Sequence, residues 1–335
     1  MTKENSMKKK YILIGGIVIV ALICIFLFRP KSFEKKADAV FNDLTSYTLK
    51  GEMEINKGED IKNYIMEVNY KKTDDNQLFK VSLFDKNLNQ EQILLRNQEG
   101  VFVVTPSLNQ IFKFEGDWPL NSPKPYLIQT MFEVLKQEDT KTEKTKDGTL
   151  IKSNVNYPNN KSYKYQEILF DKESKPISVH IYDEDKTLQL QILFSSVEFN
   201  NPIEDELFVS PKNLDNTVSS YVLDKSDLPI YPVSVFESKL VNSNVYEVSG
   251  ESRHILEYQG EKNFTIVQTL KDIKEETQTV FKSGEMIDTI EMVGFYDGGS
   301  CLGYFQNVEM NVYSQDLSVE EMMQVMQSFQ VAVMK

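Results

Sequence analysis

Within this 335-residue chain, Gly298-Gly299-Ser300-Cys301-Leu302 comes nearest to a nucleophile elbow. Leu302 stands where that turn needs its second glycine, so the backbone crowding around Ser300 would not be relieved. The run reads better as a glycine turn joining two strands. Cys301 with His254 would supply a thiolate–imidazole pair and, with it, a Cys301-dependent hydrolase. The chain has only two Cys and two His, and no third group is indicated to orient the imidazole. His180, between Val179 and Ile181, reads as a strand residue on a wetter face, with no neighbouring His or Cys to complete a metal site. Asp171-Lys172-Glu173 and Asp183-Glu184-Asp185 have turn composition but lack the spacing of a calcium loop. There is no Walker loop and no G-x-G-x-x-G. The residues therefore predict a protein that is not an enzyme, with no cofactor and no metal.

Charge separates the chain into two parts. Residues 1–36 hold eight Lys/Arg against Glu4 and Glu34, a net of +6. The remainder carries 29 basic and 48 acidic residues, a net of −19. So acidic a body argues against binding a phosphate backbone, and no nucleic-acid partner is expected.

Tyr11–Phe28, YILIGGIVIVALICIFLF, contains no charge. As a helix it would be about 27 Å long, close to the ~30 Å hydrocarbon core of a bilayer. Lys8, Lys9 and Lys10 precede it and Arg29-Pro30 close it. The run is longer than a signal-peptide core, and Ala37-Asp38-Ala39 lies too far behind it for cleavage. Ile23 before Cys24 does not fit a lipobox. The segment predicts a retained single-pass anchor at the cell membrane, with residues 1–10 as a cytoplasmic basic tail. Flanking charges tie at four against four, so orientation rests on the short tail and the order of basic then apolar segments. The body is expected outside.

The elements that follow are mostly strands. Phe33, Ala37, Val40, Phe41 and Leu44 make one helical stripe. The period then changes to two, with strands expected near 49–55, 64–70, 78–84, 92–96, 101–105 and 111–114. Ser122-Pro123 reads as a helix start, with Tyr126, Leu127, Met131, Val134 and Leu135 on its apolar face. Strands 162–170, 176–182 and 187–199 close a first domain, 31–211. A polar linker, 212–232, leads to a C-terminal α+β domain, 233–335. In that domain, strands include 245–248, 277–282 and one continuous run 287–295. Ser318-Val319-Glu320-Glu321 is a capping box opening a final Met-rich helix.

The apolar payload of the first domain is the candidate binding face: Phe79, Leu83, Ile93, Leu95, Phe102 and Val104, then Phe112, Phe114, Met131, Leu190 and Ile192. A curved sheet with such a face is either filled by its own helices or leaves a groove for an acyl chain or a partner's apolar segment.

Glu91–Phe112, EQILLRNQEGVFVVTPSLNQIF, resembles the strand, hairpin and aromatic strand of the LolA/LolB lipoprotein-carrier family. The stretch LFDKESKPISVHIYD and Ile203–Pro211, IEDELFVSP, are similar to that family's closing strands, so the likeness covers about residues 33–211. Tyr313–Phe329 is similar to the end of a small domain found in envelope proteins. The resemblance is closest to the membrane-attached, GerS-like branch of sporulation and germination. It implies a mainly β, α+β fold, an unclosed antiparallel barrel with covering helices, and a protein that binds a lipid, a lipoprotein or a hydrophobic partner. The alternative expectation is a scaffold for a peptidoglycan-modifying, cell-wall enzyme, with no ligand cavity.

Overall fold

The computed structural model describes residues 33–329 except 59, 115, 121, 156, 158–159, 212–213, 215–221, 274–275, 283 and 291. The expected anchor Tyr11–Phe28 lies outside the described residues. Among the described residues no helix is long and apolar enough to cross a membrane. The chain divides into two compact units, Met1–Asn42 and Asp43–Lys335. In the first, α1 spans Phe33–Asn42, as its apolar spacing predicts.

The second unit is built from two sheets. Its first eleven strands run in chain order as β1 (Ser46–Lys57), β2 (Asp60–Lys72), β3 (Gln77–Asp85), β4 (Gln90–Asn97), β5 (Gly100–Thr105) and β6 (Gln110–Phe114), then β7 (Lys141–Lys144), β8 (Thr149–Asn154), β9 (Tyr165–Phe170), β10 (Pro176–Tyr182) and β11 (Leu188–Phe199). The later strands are β12 (Lys239–Val248), β13 (Glu251–Gln259), β14 (Phe264–Leu270), β15 (Gln278–Phe281), β16 (Glu285–Asp288), β17 (Val293–Tyr296), β18 (Ser300–Phe305) and β19 (Val308–Ser314).

One sheet has twelve strands, ordered β15-β6-β5-β4-β3-β2-β1-β11-β10-β9-β8-β7, and it remains open. The other has seven, ordered β12-β13-β14-β19-β18-β17-β16. The mainly β, unclosed architecture matches the expectation from the sequence. β15 comes from the C-terminal half yet pairs parallel with β6, through Gln278 opposite Gln110 to Phe281 opposite Lys113. The two sheets are therefore joined by backbone as well as side chains.

Two short helices cover apolar surface. α2 (Ile128–Val134) starts later than Ser122-Pro123 suggests, with Leu127 as its N-cap. Pro125 disfavours helical backbone at Lys124, so the first possible turn lies beyond it. α2 buries Ile128, Met131, Phe132 and Val134, and the Phe132 ring sits 5.7 Å from that of Phe170. α3 (Val319–Gln327) begins with the expected box: Glu321 N–H donates to Ser318 Oγ at 3.2 Å, and Ser318 N–H donates to Glu321 Oε2 at 2.8 Å. The bond from Ser318 N–H, with the Lys262 ammonium beside it, holds the Glu321 carboxyl below its ordinary range. α3 lays Met322, Met323, Val325 and Met326 on the seven-stranded sheet.

The expected strand 287–295 is instead the hairpin β16–β17. Thr289 breaks it, donating its N–H and its hydroxyl to Met292 O, both at 2.9 Å, and accepting from Met292 N–H at 3.1 Å. A hydroxyl that can bond the local backbone competes with the ladder, although Ile287, Ile290 and Val293 around it suit a strand.

The sheets are pinned at a buried ionic contact. Lys124, from the segment before α2, places Nζ 3.1 Å from Asp288 Oδ2 at the end of β16, with side-chain exposures of 3% and 4%. Its ammonium also donates to Asp288 O at 2.9 Å and to Ser122 Oγ at 3.0 Å. Trp118 Nε1 donates to the same carboxylate. Burial pushes the Asp288 carboxyl up and the Lys124 ammonium down, and their mutual attraction opposes both shifts. Removing one partner of such a pair leaves an uncompensated buried charge and costs about 3–5 kcal/mol. Lys124→Met should therefore lower unfolding stability by about that amount, and Lys124→Met with Asp288→Leu by much less. Denaturant titration followed by Trp118, the sole tryptophan, measures both.

Candidate functional site

Strand register sorts the residues expected to share one binding face. Directly opposed residues of antiparallel strands lie on the same side of the sheet. Phe79 opposes Tyr70 and Arg96; Leu83 opposes Met66 and Gln92. Arg96 opposes Val101, which opposes Phe114, and Val103 opposes Phe112. Leu190 and Ile192 join this face through Ile55 and Met53 of β1. Ile93 and Leu95 alternate with it, and they oppose Val104 and Phe102. Phe79, Leu83, Phe112, Phe114, Leu190 and Ile192 thus share the inner face, with Met131 of α2 in the core; Ile93, Leu95, Phe102 and Val104 lie on the outer face.

The inner face is filled. The rings of Tyr47, Tyr70 and Phe79 follow one another at centroid spacings of 5.0 and 4.9 Å, and Trp118 meets Phe79 edge-on at 6.5 Å. Tyr47 donates its hydroxyl to Gln129 Oε1 of α2 at 2.8 Å. Toward β6, the second sheet takes over as cover: Phe295 stacks on Phe114 at 4.8 Å and Tyr304 on Phe112 at 4.9 Å. Between the sheets lie a cavity of about 110 Å³, lined by Leu83, Phe112, Phe295, Tyr304 and Met326 among others, and an open, more polar cleft of about 680 Å³ lined by Lys62, Asp85, Asn87, Tyr163, Gln327 and Phe329 among others. Pockets for small-molecule ligands run to about 300–1,000 Å³.

On the outer face, Leu78, Leu95, Phe102, Val104 and Ile111 form a second core with Ile203 and Phe208. Polar ties hold the covering segment there: Lys71 Nζ donates to Ile203 O and Asp205 Oδ1, each at 2.6 Å, and Asn97 Nδ2 donates to Phe208 O at 2.9 Å. Among the described residues, the cover stops short of the sheet's middle strands. An open trough of about 460 Å³ is left, walled by Ile93, Leu95, Val104, Leu207, Val209 and Pro211, with Lys80 and Glu206 also lining it. Val209 is 59% exposed. The sequence offers Ile93, Leu95 and Val104 as candidates; Leu207, Val209 and Pro211 read only as the end of the domain. Trp118, Lys124 and Asp288 carry no signal at all, because a lysine between two prolines looks like loop.

The reactive candidates are separated. Gly298-Gly299 is indeed the turn between β17 and β18. Ser300 Oγ bonds the Asp297 carboxylate at 3.2 Å. Cys301 lies on β18 and His254 on β13, with β14 and β19 between them. Three strand spacings put them at least about 14 Å apart. Among the described residues, no group of three His, Cys, Asp or Glu is placed to hold a metal ion.

No family model matches the sequence. The chain is 32% identical to the sporulation protein YdcC of Bacillus subtilis (strain 168), over 97% of this chain and 98% of that protein. It belongs to the family of that sporulation protein. Similar solved structures include a putative outer membrane lipoprotein-sorting protein domain from Vibrio parahaemolyticus, at 12% identity over 52% of this chain and 95% of that one, TM-score 0.30. Another is the CwlD amidase from Clostridioides difficile in complex with the GerS lipoprotein, at 16% identity over 51% and 98%, TM-score 0.23.

In this family member the Cys301 thiol is sealed, with Sγ 3.4 Å from Met323 Sδ. Burial pushes it up to about 12. Iodoacetamide at pH 8 should leave Cys301 unmodified in the folded chain and modify it after denaturation, as peptide mass mapping would show. An unfolded thiol ionises near ~8.5. Between that pH and about 12 the folded state keeps a proton the unfolded state has lost, so this group's contribution makes stability fall as pH rises.

Proposed function

We propose that this is a non-catalytic protein of the sporulating cell envelope, tethered by Tyr11–Phe28 with its body on the outer side of the membrane. Its first sheet takes a short apolar segment of a protein partner in the outer-face trough. The observation that carries this reading is the lining of the outer-face trough: about 460 Å³ lies open there against Ile93, Leu95, Val104, Leu207, Val209 and Pro211, whereas the open cleft between the sheets is edged by Lys62, Asp85, Asn87 and Gln327. Lys80 and Glu206 bring opposite charges to the trough's lining. They suit a peptide whose apolar residues are flanked by an acidic and a basic side chain, whereas an acyl tail would use neither. Membership of the YdcC family supports the sporulation setting.

Val209→Asp introduces a charge at an exposed position, so stability should change by no more than about 0.5 kcal/mol. A photo-cross-linking residue at Val209 in sporulating cells should capture a protein. Combining Leu207→Asp with Val209→Asp should abolish co-purification of that protein with the full-length chain. Ile273→Asp, at another exposed apolar site, should not. Recovery of a cell-wall enzyme would identify the partner as the scaffold reading expects. Bound lipid in native mass spectra, lost in the double variant, would replace the protein partner with a lipid.

For the anchor, the full chain should resist alkaline carbonate extraction. A chain lacking residues 1–30 should be released, and external protease on intact protoplasts should digest the full chain's body. Carbonate-soluble full-length protein would remove the tether from the proposal.

A further inference from the structure

The open cleft between the sheets, about 680 Å³, is continuous with the cavity of about 110 Å³. Lys62, Asp85, Leu88, Phe305 and Gln327 line both, so the cleft is the cavity's mouth. The inner space is several times the ~10–15 Å³ that one water needs. Two polar atoms of its lining residues have no partner. Gln90 opens β4 in the twelve-stranded sheet, and its Nε2 is buried without an acceptor among the described residues. Gln306 lies in the two-residue turn between β18 and β19 of the other sheet and is 4% exposed. Its Oε1 is buried without a donor among the described residues. Buried polar groups are ordinarily bonded, so one orphan donor and one orphan acceptor in a single cavity call for an occupant.

A secondary amide satisfies both atoms: its carbonyl accepts from Gln90 Nε2, and its N–H donates to Gln306 Oε1. The methyl of an acetamido group then has the cavity's apolar wall of Phe112, Phe295 and Met326 to lie on. The mouth narrows what carries that amide. Among its described residues Lys57 and Lys62 are balanced by Asp60 and Asp85, so the lining has no net charge. The side-chain amides of Asn160 and Gln324 form no hydrogen bond among the described residues, and Tyr163, Phe305 and Phe329 supply rings to the walls. An amide presents a donor and an acceptor on one carbon, which suits neighbouring hydroxyls. The negative face of an aromatic ring suits the C–H groups of a sugar ring. We propose that cleft and cavity together bind an N-acetylated amino sugar, with its ring in the mouth and its acetamido group between Gln90 and Gln306. A phosphate or carboxylate ligand finds no excess of positive charge here, and a peptide brings the amide without the hydroxyls. The site shares no lining residue with the outer-face trough, so the two stand independently.

The test is saturation-transfer NMR and calorimetry on the full chain in detergent, with N,N′,N″-triacetylchitotriose as the probe. Saturation transfer should be strongest to the acetyl methyls. Cellotriose has the same linkage with a hydroxyl in place of each acetamido group, and it should bind about tenfold more weakly. Gln90→Leu and Gln306→Leu keep the side-chain volume and remove the amide, and each should weaken binding of the triacetyl sugar about tenfold. Each also removes an orphan polar atom, so the unliganded chain's thermal midpoint should hold or rise, which a purely structural role for these glutamines would not give. Val209→Asp, in the trough, should leave sugar binding unchanged. An absence of saturation transfer would leave the cavity to water and overturn the site. Equal binding of cellotriose, or parental affinity in both leucine variants, would overturn the placement of the acetamido group. Tighter binding of N-acetyl-alanyl-alanine amide than of the trisaccharide would replace the sugar with a peptide.

Discussion

A sheet twelve strands wide, apolar on its inner side, has to be sealed from water, and most of this structure follows from how that is done. Two covers meet over the face. One is the chain between β6 and β7, which brings Trp118 against Phe79 of β3 and α2 against Tyr47 of β1 and Phe170 of β9. The other is the seven-stranded sheet, whose Phe295 and Tyr304 close over Phe112 and Phe114. Lys124 and Asp288 lie where the covers join, with Trp118 on the same carboxylate. A buried ion pair is a poor source of net stability, but breaking it by halves is costly. Its effect here is to fix which part of the second sheet meets the first.

That seal decides where a partner can bind. Much of the inner face is occupied by the protein's own side chains, with Tyr47, Tyr70, Phe79 and Trp118 packed ring against ring. The outer face is covered by a short segment tied down through Lys71 and Asn97, and among the described residues that cover ends before the sheet does. The trough lies where the cover ends. Exposed apolar surface on a folded protein commonly marks an interaction site, and here it is bordered by a charge of each sign.

This member of the family combines a packed core with an open apolar trough on the outer face of its first sheet. The acidic body, at −19 beyond residue 36, is repelled by an anionic membrane surface, while the basic N-terminal residues are drawn to one.

What was legible in the sequence is what neighbouring residues decide among themselves. The α3 capping box needs only Ser318 and Glu321; the glycine turn before Ser300 needs only its own backbone freedom; the period-two alternation shows strands wherever it runs. The strand nature of β3–β6 could be read, but not the side to which each parity faces. Leu94 and Leu95 are adjacent and equally apolar, yet hydrogen-bond register with β3 and β5 sends one to the inner core and the other to the outer face. The helix start near Pro123 and the unbroken strand across Thr289 were misread, because one proline and one hydroxyl acted against an otherwise consistent pattern. Lys124 and Asp288 lie 164 residues apart, and nothing local marks either as buried. By itself, the sequence determined the element types and the absence of a recognisable catalytic motif, since both depend on local spacing. Only the tertiary structure decided which face is filled and which is open, because that depends on register and on segments from the other half of the chain.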